Sequence, residues 1–189
     1  MIISADSHFN EPHDFYHAEY RRFGRVVPHL KRTNDNGDFW VSGSFERPLG
    51  VMNRPGQRGA LNTKNLKYEE TEWFVDLRER RKHTRADGVC AEALFPSGGM
   101  LFSMPDEAAQ ISCMRRLNDF MASLSGDYQG ILICPDNPSR AVEIVKEYGE
   151  AGTHFLLPMY NSHSCLHDPE WTYFLSLIEI GCLHPPQIE

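Results

Sequence analysis

The sequence lacks long apolar runs, a basic N-terminal leader and any stripe of basic residues. Because no run is long enough to cross a bilayer and no basic region precedes an apolar core, we expect neither a membrane helix nor a secretory signal, and the cytoplasm is the default location. The net charge is −7, and acidic and basic residues are interleaved. Nucleic acid is not an expected partner, because binding a phosphate backbone requires a track of positive charge.

Cysteine is scarce and unpaired in the sequence. The five cysteines are widely spaced, odd in number and form no C-x-x-C motif. This pattern argues against a disulfide framework and against a structural zinc site. Cys90 and Cys134 lie in or beside apolar runs and are predicted to be small core residues rather than nucleophiles.

The first residues carry the most informative chemistry. The apolar run Ile2–Ala5 predicts a buried strand that ends in Asp6-Ser7-His8. Alternate side chains on a strand share a face, so Asp6 and His8 should point the same way and offer a divalent metal an oxygen and a nitrogen ligand. The same three residues are also typical of a turn, since Asp and Ser side chains bond to nearby backbone amides.

Residues 13–75 show no clear regular pattern. Asn36-Gly37 lies between Leu30-Lys-Arg-Thr33 and Phe39-Trp-Val41 and predicts a hairpin. An irregular stretch of this length is typical of a functional insertion, a lid or an oligomer contact. Its histidines are predicted to be surface or packing residues, because none shares a ligand spacing with another donor.

From residue 71 onwards, short apolar strands alternate with amphipathic helices. Helices are predicted over 72–86, 106–124, 139–148 and 168–180, and strands over 89–95, 130–134 and 154–158. Ser139 is expected to cap the helix that ends at Tyr148, and Ala109, Cys113, Leu117 and Met121 are expected to form the inner stripe of the helix that begins at Asp106. This alternation predicts an α/β fold of parallel (β/α) units, whose functional loops lie at the carboxyl ends of the strands. The residues expected together on that face are Asp6, His8, Pro96-Ser97, Cys134 and Tyr160-Asn161.

Four segments, in order, resemble the amidohydrolase-related group of the amidohydrolase superfamily, the branch that includes aminocarboxymuconate-semialdehyde decarboxylase and the resorcylate-type decarboxylases. The segments are Ile3-Ser-Ala-Asp6-Ser-His8-x-x-Glu11-Pro12, Ala86-Asp-Gly-Val89 with Leu94-Phe-Pro-Ser97, Asn118-Asp119, and Leu166-His-Asp-Pro-x-Trp171. The resemblance covers about residues 1–12 and 71–181.

The resemblance implies a TIM-type (β/α)8 barrel with one divalent metal ion, zinc first and manganese second. Asp6 and His8 match the family's strand-1 ligands, and Glu11 matches a position that would suit a partner holding His8. The implied activity is metal-dependent hydrolysis of a small carboxylated or cyclic substrate, or its non-oxidative decarboxylation by a lyase. Tyr160, Asn161 and the Pro96-Ser97 turn are weaker candidates for lining the pocket.

The chain departs from the family pattern in its last residues. The family's next metal-binding His follows strand 5 and a further Asp follows strand 8, whereas this sequence ends at Glu189. His184 comes too soon after Gly181 to match, and His163-x-Cys165-x-His167 has a metal-like spacing but is predicted to be a loop. We therefore expect residues 1–189 to form a partial barrel domain of four or five strands, with an insertion at 13–70.

A partial barrel has consequences for partners. Its first and last strands would be open edges, which predicts a homodimer or a complementing second chain besides a small-molecule substrate. The alternative to an enzyme is a catalytically inactive fragment, or an assembly half that keeps the scaffold but cannot turn over substrate alone.

Overall fold

The computed structural model describes residues 2–49, 66–70, 75–96, 98–149, 154–157 and 166–178. Several residues singled out above lie outside the described residues, so their predicted roles stay predictions: Ser97, Tyr160, Asn161, His163, Cys165 and His184. No helix among the described residues is long and apolar enough to cross a membrane.

The described chain alternates strands and helices in the expected order after its insertion. The strands are β1 (Ile2–Phe9), β2 (His29–Lys31), β3 (Phe39–Ser42), β4 (Phe45–Pro48), β5 (Val89–Pro96), β6 (Tyr128–Ile133) and β7 (His154–Leu156). The α-helices are α1 (His17–Phe23), α2 (Leu77–Ala86), α3 (Glu107–Ala122), α4 (Pro138–Tyr148) and α5 (Thr172–Leu177). Short 3-10 helices cover Gly24–Val26, Gly98–Ser103 and Pro169–Trp171.

The main sheet has four strands in the order β1-β5-β6-β7, and every neighbouring pair is parallel. This arrangement confirms the predicted α/β class with parallel (β/α) units. Within the described part of the chain the sheet is open, with β1 and β7 as its edges. Four parallel strands with two edges are compatible with part of a barrel.

The insertion is more regular than the sequence indicated. It contains α1 and an antiparallel sheet in the order β2-β3-β4. The predicted hairpin is confirmed, because Leu30 pairs with Trp40 and Gly37 has the positive φ of 74° that its turn requires. The prediction of an irregular stretch was wrong because three- and four-residue strands are too short for their alternation to stand out.

Helix starts follow their capping residues. The Asp76 side chain accepts hydrogen bonds from the backbone amides of Arg78 and Glu79, and Asp106 accepts one from Ala109. The fourth helix is capped by Asn137, with Pro138 as its first residue, so the prediction that Ser139 is its cap was wrong. Asn at the cap followed by Pro is a strong helix start, because both fit the unpaired first turn.

The core lies where α3 packs on β6 and α4. The predicted inner stripe of α3, formed by Ala109, Cys113, Leu117 and Met121, is fully buried as expected. The Asn118 side chain is buried beside it, donating to the Ile133 carbonyl and accepting from the Ile133 amide, both at 2.9 Å. The Asn118-Asp119 motif therefore includes a structural link between helix and strand.

The first strand is not buried at its start. Ile2 and Ile3 are 53% and 45% exposed, so the prediction of a buried strand was wrong for these residues. Apolar composition alone suits a strand covered on both faces, but β1 is an edge strand in the described sheet. Its burial is confined to Ser7 and Phe9, and Phe9 stacks on Phe120 of α3 with ring centroids 4.8 Å apart.

Candidate functional site

Asp6 and His8 lie side by side on β1, as the alternation of a strand predicts. Asp6 Oδ1 is 3.3 Å from His8 Nε2, and the two side chains are 82% and 51% exposed. Ser7 and Phe9 point to the opposite, buried side. The strand continues to Phe9, so the pair belongs to its last half rather than to a following turn.

The separation of the two donor atoms suits a shared metal ion. With zinc bonds of about 2.0–2.1 Å to His nitrogen and carboxylate oxygen, two ligands of a tetrahedral site lie about 3.3–3.4 Å apart. The observed 3.3 Å matches that spacing, and both donor atoms belong to accessible side chains. The pair could therefore hold one edge of a metal site.

The rest of a metal site is not found in the described residues. No group of three or more His, Cys, Asp or Glu that could hold a metal occurs among them. Two donors alone bind a divalent ion weakly, since structural and catalytic zinc sites use at least three protein ligands. The described residues thus fit half of the donor set of a four-coordinate site.

An arginine that the sequence did not single out fixes the backbone at this pair. Arg80 of α2 donates from Nη1 to the His8 carbonyl oxygen at 2.8 Å. Its Nε and Nη2 donate to Glu92 Oε1 on β5 at 3.1 and 2.8 Å. Both Arg80 and Glu92 are buried. Glu92 is the lone charged residue inside the apolar run of β5. A charge in such a run requires a buried partner. This was the sequence signal from which a partner for Glu92 could have been predicted.

Glu11 is buried rather than exposed beside His8. Its Oε1 has no hydrogen-bond partner in the part of the chain that the structure describes, so nothing there supports the expectation that Glu11 holds His8. Burial raises the pKa of Glu11 to about 7, against the opposing effects of a backbone hydrogen bond and the charge of Arg47. A carboxyl group that is costly to ionise is a liability for folding near neutral pH.

We expect Glu11→Gln to remove a pH dependence of stability. A folded pKa of about 7, against 4.5 as the reference value, means that the contribution of Glu11 to stability is most favourable below pH 4.5 and falls as Glu11 ionises up to pH 7. Glutamine does not ionise, so at pH 8 the variant should be more stable by up to about 3 kcal/mol, with little difference at pH 4.5.

The measurement is urea unfolding at both pH values, with Asp14→Asn as the control because Asp14 is an exposed carboxylate in the same segment. A Glu11→Gln gain of equal size at both pH values would contradict the assignment to ionisation.

Among the described residues, no other predicted site residue joins the pair in a group that could hold a metal. His167 is 85% exposed and lies 3.7 Å from Asp168, beside the start of the last helical segment. Cys113 and Cys134 are buried, and burial raises the pKa of each thiol to about 12. Neither thiol is a nucleophile at neutral pH. The prediction of a core residue is confirmed for Cys134, whereas it was wrong for Cys90, which is only partly buried.

A cleft of about 530 Å³ lies on the helical side of the molecule, between α1, α3 and α4. Two of its arginines already pair with glutamates, Arg115 with Glu147 at 2.8 Å and Arg140 with Glu143 at 2.9 Å. Its lining includes neither Asp6 nor His8. The cleft is therefore separate from the candidate metal pair.

Comparisons with known proteins give one informative likeness. No known protein family matches the sequence, and no curated protein matches it either. The fold is similar to the crystal structure of an amidohydrolase from Mycobacterium avium subsp. paratuberculosis K-10, with a TM-score of 0.58 and 14% sequence identity. The match covers 82% of this chain and 49% of that amidohydrolase, so this chain spans about half of its length. The chain has an amidohydrolase-like fold.

Proposed function

We propose that this chain is part of a metal-dependent hydrolase and that Asp6 and His8 are two of its metal ligands. The observation that carries the proposal is the 3.3 Å separation of Asp6 Oδ1 and His8 Nε2 on accessible side chains of one strand. The amidohydrolase-like fold supports it at the level of architecture. The remaining ligands would come from outside the described residues.

The substrate class follows only from the sequence resemblance. We propose that the substrate is a small carboxylated or cyclic molecule. The proposed reaction is its hydrolysis or, more narrowly, its non-oxidative decarboxylation. Zinc is the proposed metal, with manganese as the second choice, and a bound metal would supply an activated water or polarise a substrate oxygen. The second candidate is an inactive assembly half, which the two-donor count among the described residues favours.

Metal content tests the ligand assignment directly. Wild-type protein incubated with Zn²⁺ and freed of excess ion should retain metal, and His8→Ala should bind it at least tenfold more weakly, because removing a ligand leaves a single donor on β1. His17→Ala, which removes an exposed histidine of α1, is the matched control and should behave as wild type. Equal, near-zero metal in wild type and His8→Ala would overturn the metal assignment and favour the inactive assembly half.

We further propose that a second copy of the chain covers the outer edge of β1. Ile2 and Ile3 are exposed there, and an apolar edge strand is a template for pairing. Two four-stranded parallel sheets contain the eight strands that close a small barrel. A complementing chain of different sequence is the alternative outcome.

Gel filtration with light scattering is expected to show a dimer of the purified chain. Ile3→Lys should shift it to monomer, because a charge on the edge opposes strand pairing. Tyr173→Lys changes another exposed apolar residue, on α5, and should leave the dimer intact. A wild-type monomer would overturn self-association.

A further inference from the structure

The backbone of β1 is irregular at the candidate ligands. Ser4 lies opposite Glu92 and Ser7 lies opposite Leu94, so three steps along β1 face two steps along β5. The extra residue falls at Ala5 or Asp6, where it forms a bulge-like irregularity. A bulge changes the direction of side chains and interrupts the regular hydrogen bonds between the strands. Another contact is then needed to fix the backbone there.

Arg80 makes contacts on both sides of this irregularity. Its guanidinium holds Glu92, the residue opposite Ser4, and also the carbonyl oxygen of His8, the residue after Ser7. The rigid fork of an arginine sets the distance between the groups that it bonds. Because Arg80 and Glu92 are both buried, the hydrogen bonds between these two side chains compete little with water.

We propose that Arg80 is a positioning residue that holds His8 beside Asp6 by fixing the His8 backbone across the bulge. The inference rests on the proposed function in treating this pair as metal ligands. Arg80 is a cation with no lone pair to offer, so it acts through the His8 carbonyl and not on the metal. The competing explanation is that Arg80 only links α2 to β5, in which case the geometry of His8 is independent of it.

The test uses a double variant that removes both buried charges. Arg80→Met with Glu92→Leu leaves no uncompensated charge, so the protein should fold with stability near that of wild type. Arg85→Met is the matched control, since it removes an arginine of the same helix whose partner, Asp127, is at the surface at 2.7 Å. The probe is Co²⁺, followed by its visible absorption, together with the NMR signal of the His8 ring in metal-free protein.

The double variant should bind Co²⁺ about 10–100-fold more weakly, the usual effect of losing a group that orients a ligand, while the control matches wild type. The His8 ring signal should also move, because its position relative to the Phe95 ring, now 6.0 Å between centroids, would change. Unchanged affinity and an unchanged ring signal overturn the inference. If wild type binds no Co²⁺ but the ring signal moves, positioning is supported and the metal assignment fails.

Discussion

Arg80→Met is expected to destabilise the fold by about 3–5 kcal/mol, because it leaves the Glu92 carboxylate buried without its partner. Glu92 is 4% exposed, and the Arg80 guanidinium is its partner through three hydrogen bonds of 2.8–3.3 Å. Losing the partner of a buried, ionised carboxylate destabilises a protein far more than losing the partner of an exposed one. Loss of the bond to His8 adds to this effect.

A double-mutant cycle separates the pair from its surroundings. Glu92→Leu alone should also be strongly destabilising, since it leaves Arg80 buried without its partner. The combined variant should have a free energy of unfolding within about 1 kcal/mol of wild type. Urea unfolding followed by circular dichroism gives the free energies. If the combined variant lost as much stability as the two single variants together, the two side chains would act independently. That result would contradict the hydrogen bonds between them.

Gly130→Ala should destabilise the fold by about 3 kcal/mol, at the upper end of overpacking effects. Gly130 lies on β6 where α3 crosses, and a Cβ there would overlap the Met121 carbonyl oxygen and lie 2.8 Å from its carbon. These are backbone atoms of the helix, so the clash can be relieved only by moving α3 away from the sheet. A strand glycine at such a close approach is a packing requirement.

Gly149→Ala is the control for the general effect of adding a methyl group. Gly149 has a φ of −62°, and among the described residues its added Cβ would meet only Val145 Cγ1, at 3.9 Å. This variant should keep the wild-type melting temperature within a few degrees or exceed it, because alanine lowers the entropy of the unfolded chain. If Gly130→Ala had the same melting temperature as Gly149→Ala, the close contact between α3 and β6 would be contradicted.

Features set by nearby residues were predictable from the sequence. The helices around Asp106 and Asp168 and the strands at 89–95 and 130–134 depend on capping residues and local periodicity, and they lie close to their predicted positions. That Asp6 and His8 share a face of β1 follows from strand alternation. The Asn137 cap was missed although its signal was local, because Ser139 offered a competing cap two residues later.

The sequence by itself determined the alternation of β and α units and the shared face of the Asp6–His8 pair, since both depend on residues a few positions apart. Only the tertiary structure decided that Gly130 touches Met121 and that Arg80 bonds to Glu92 and the His8 carbonyl. These contacts join residues 9 to 72 positions apart, and their existence depends on how whole elements dock. A local sequence pattern does not show how the elements dock, because docking depends on residues that are distant in the sequence.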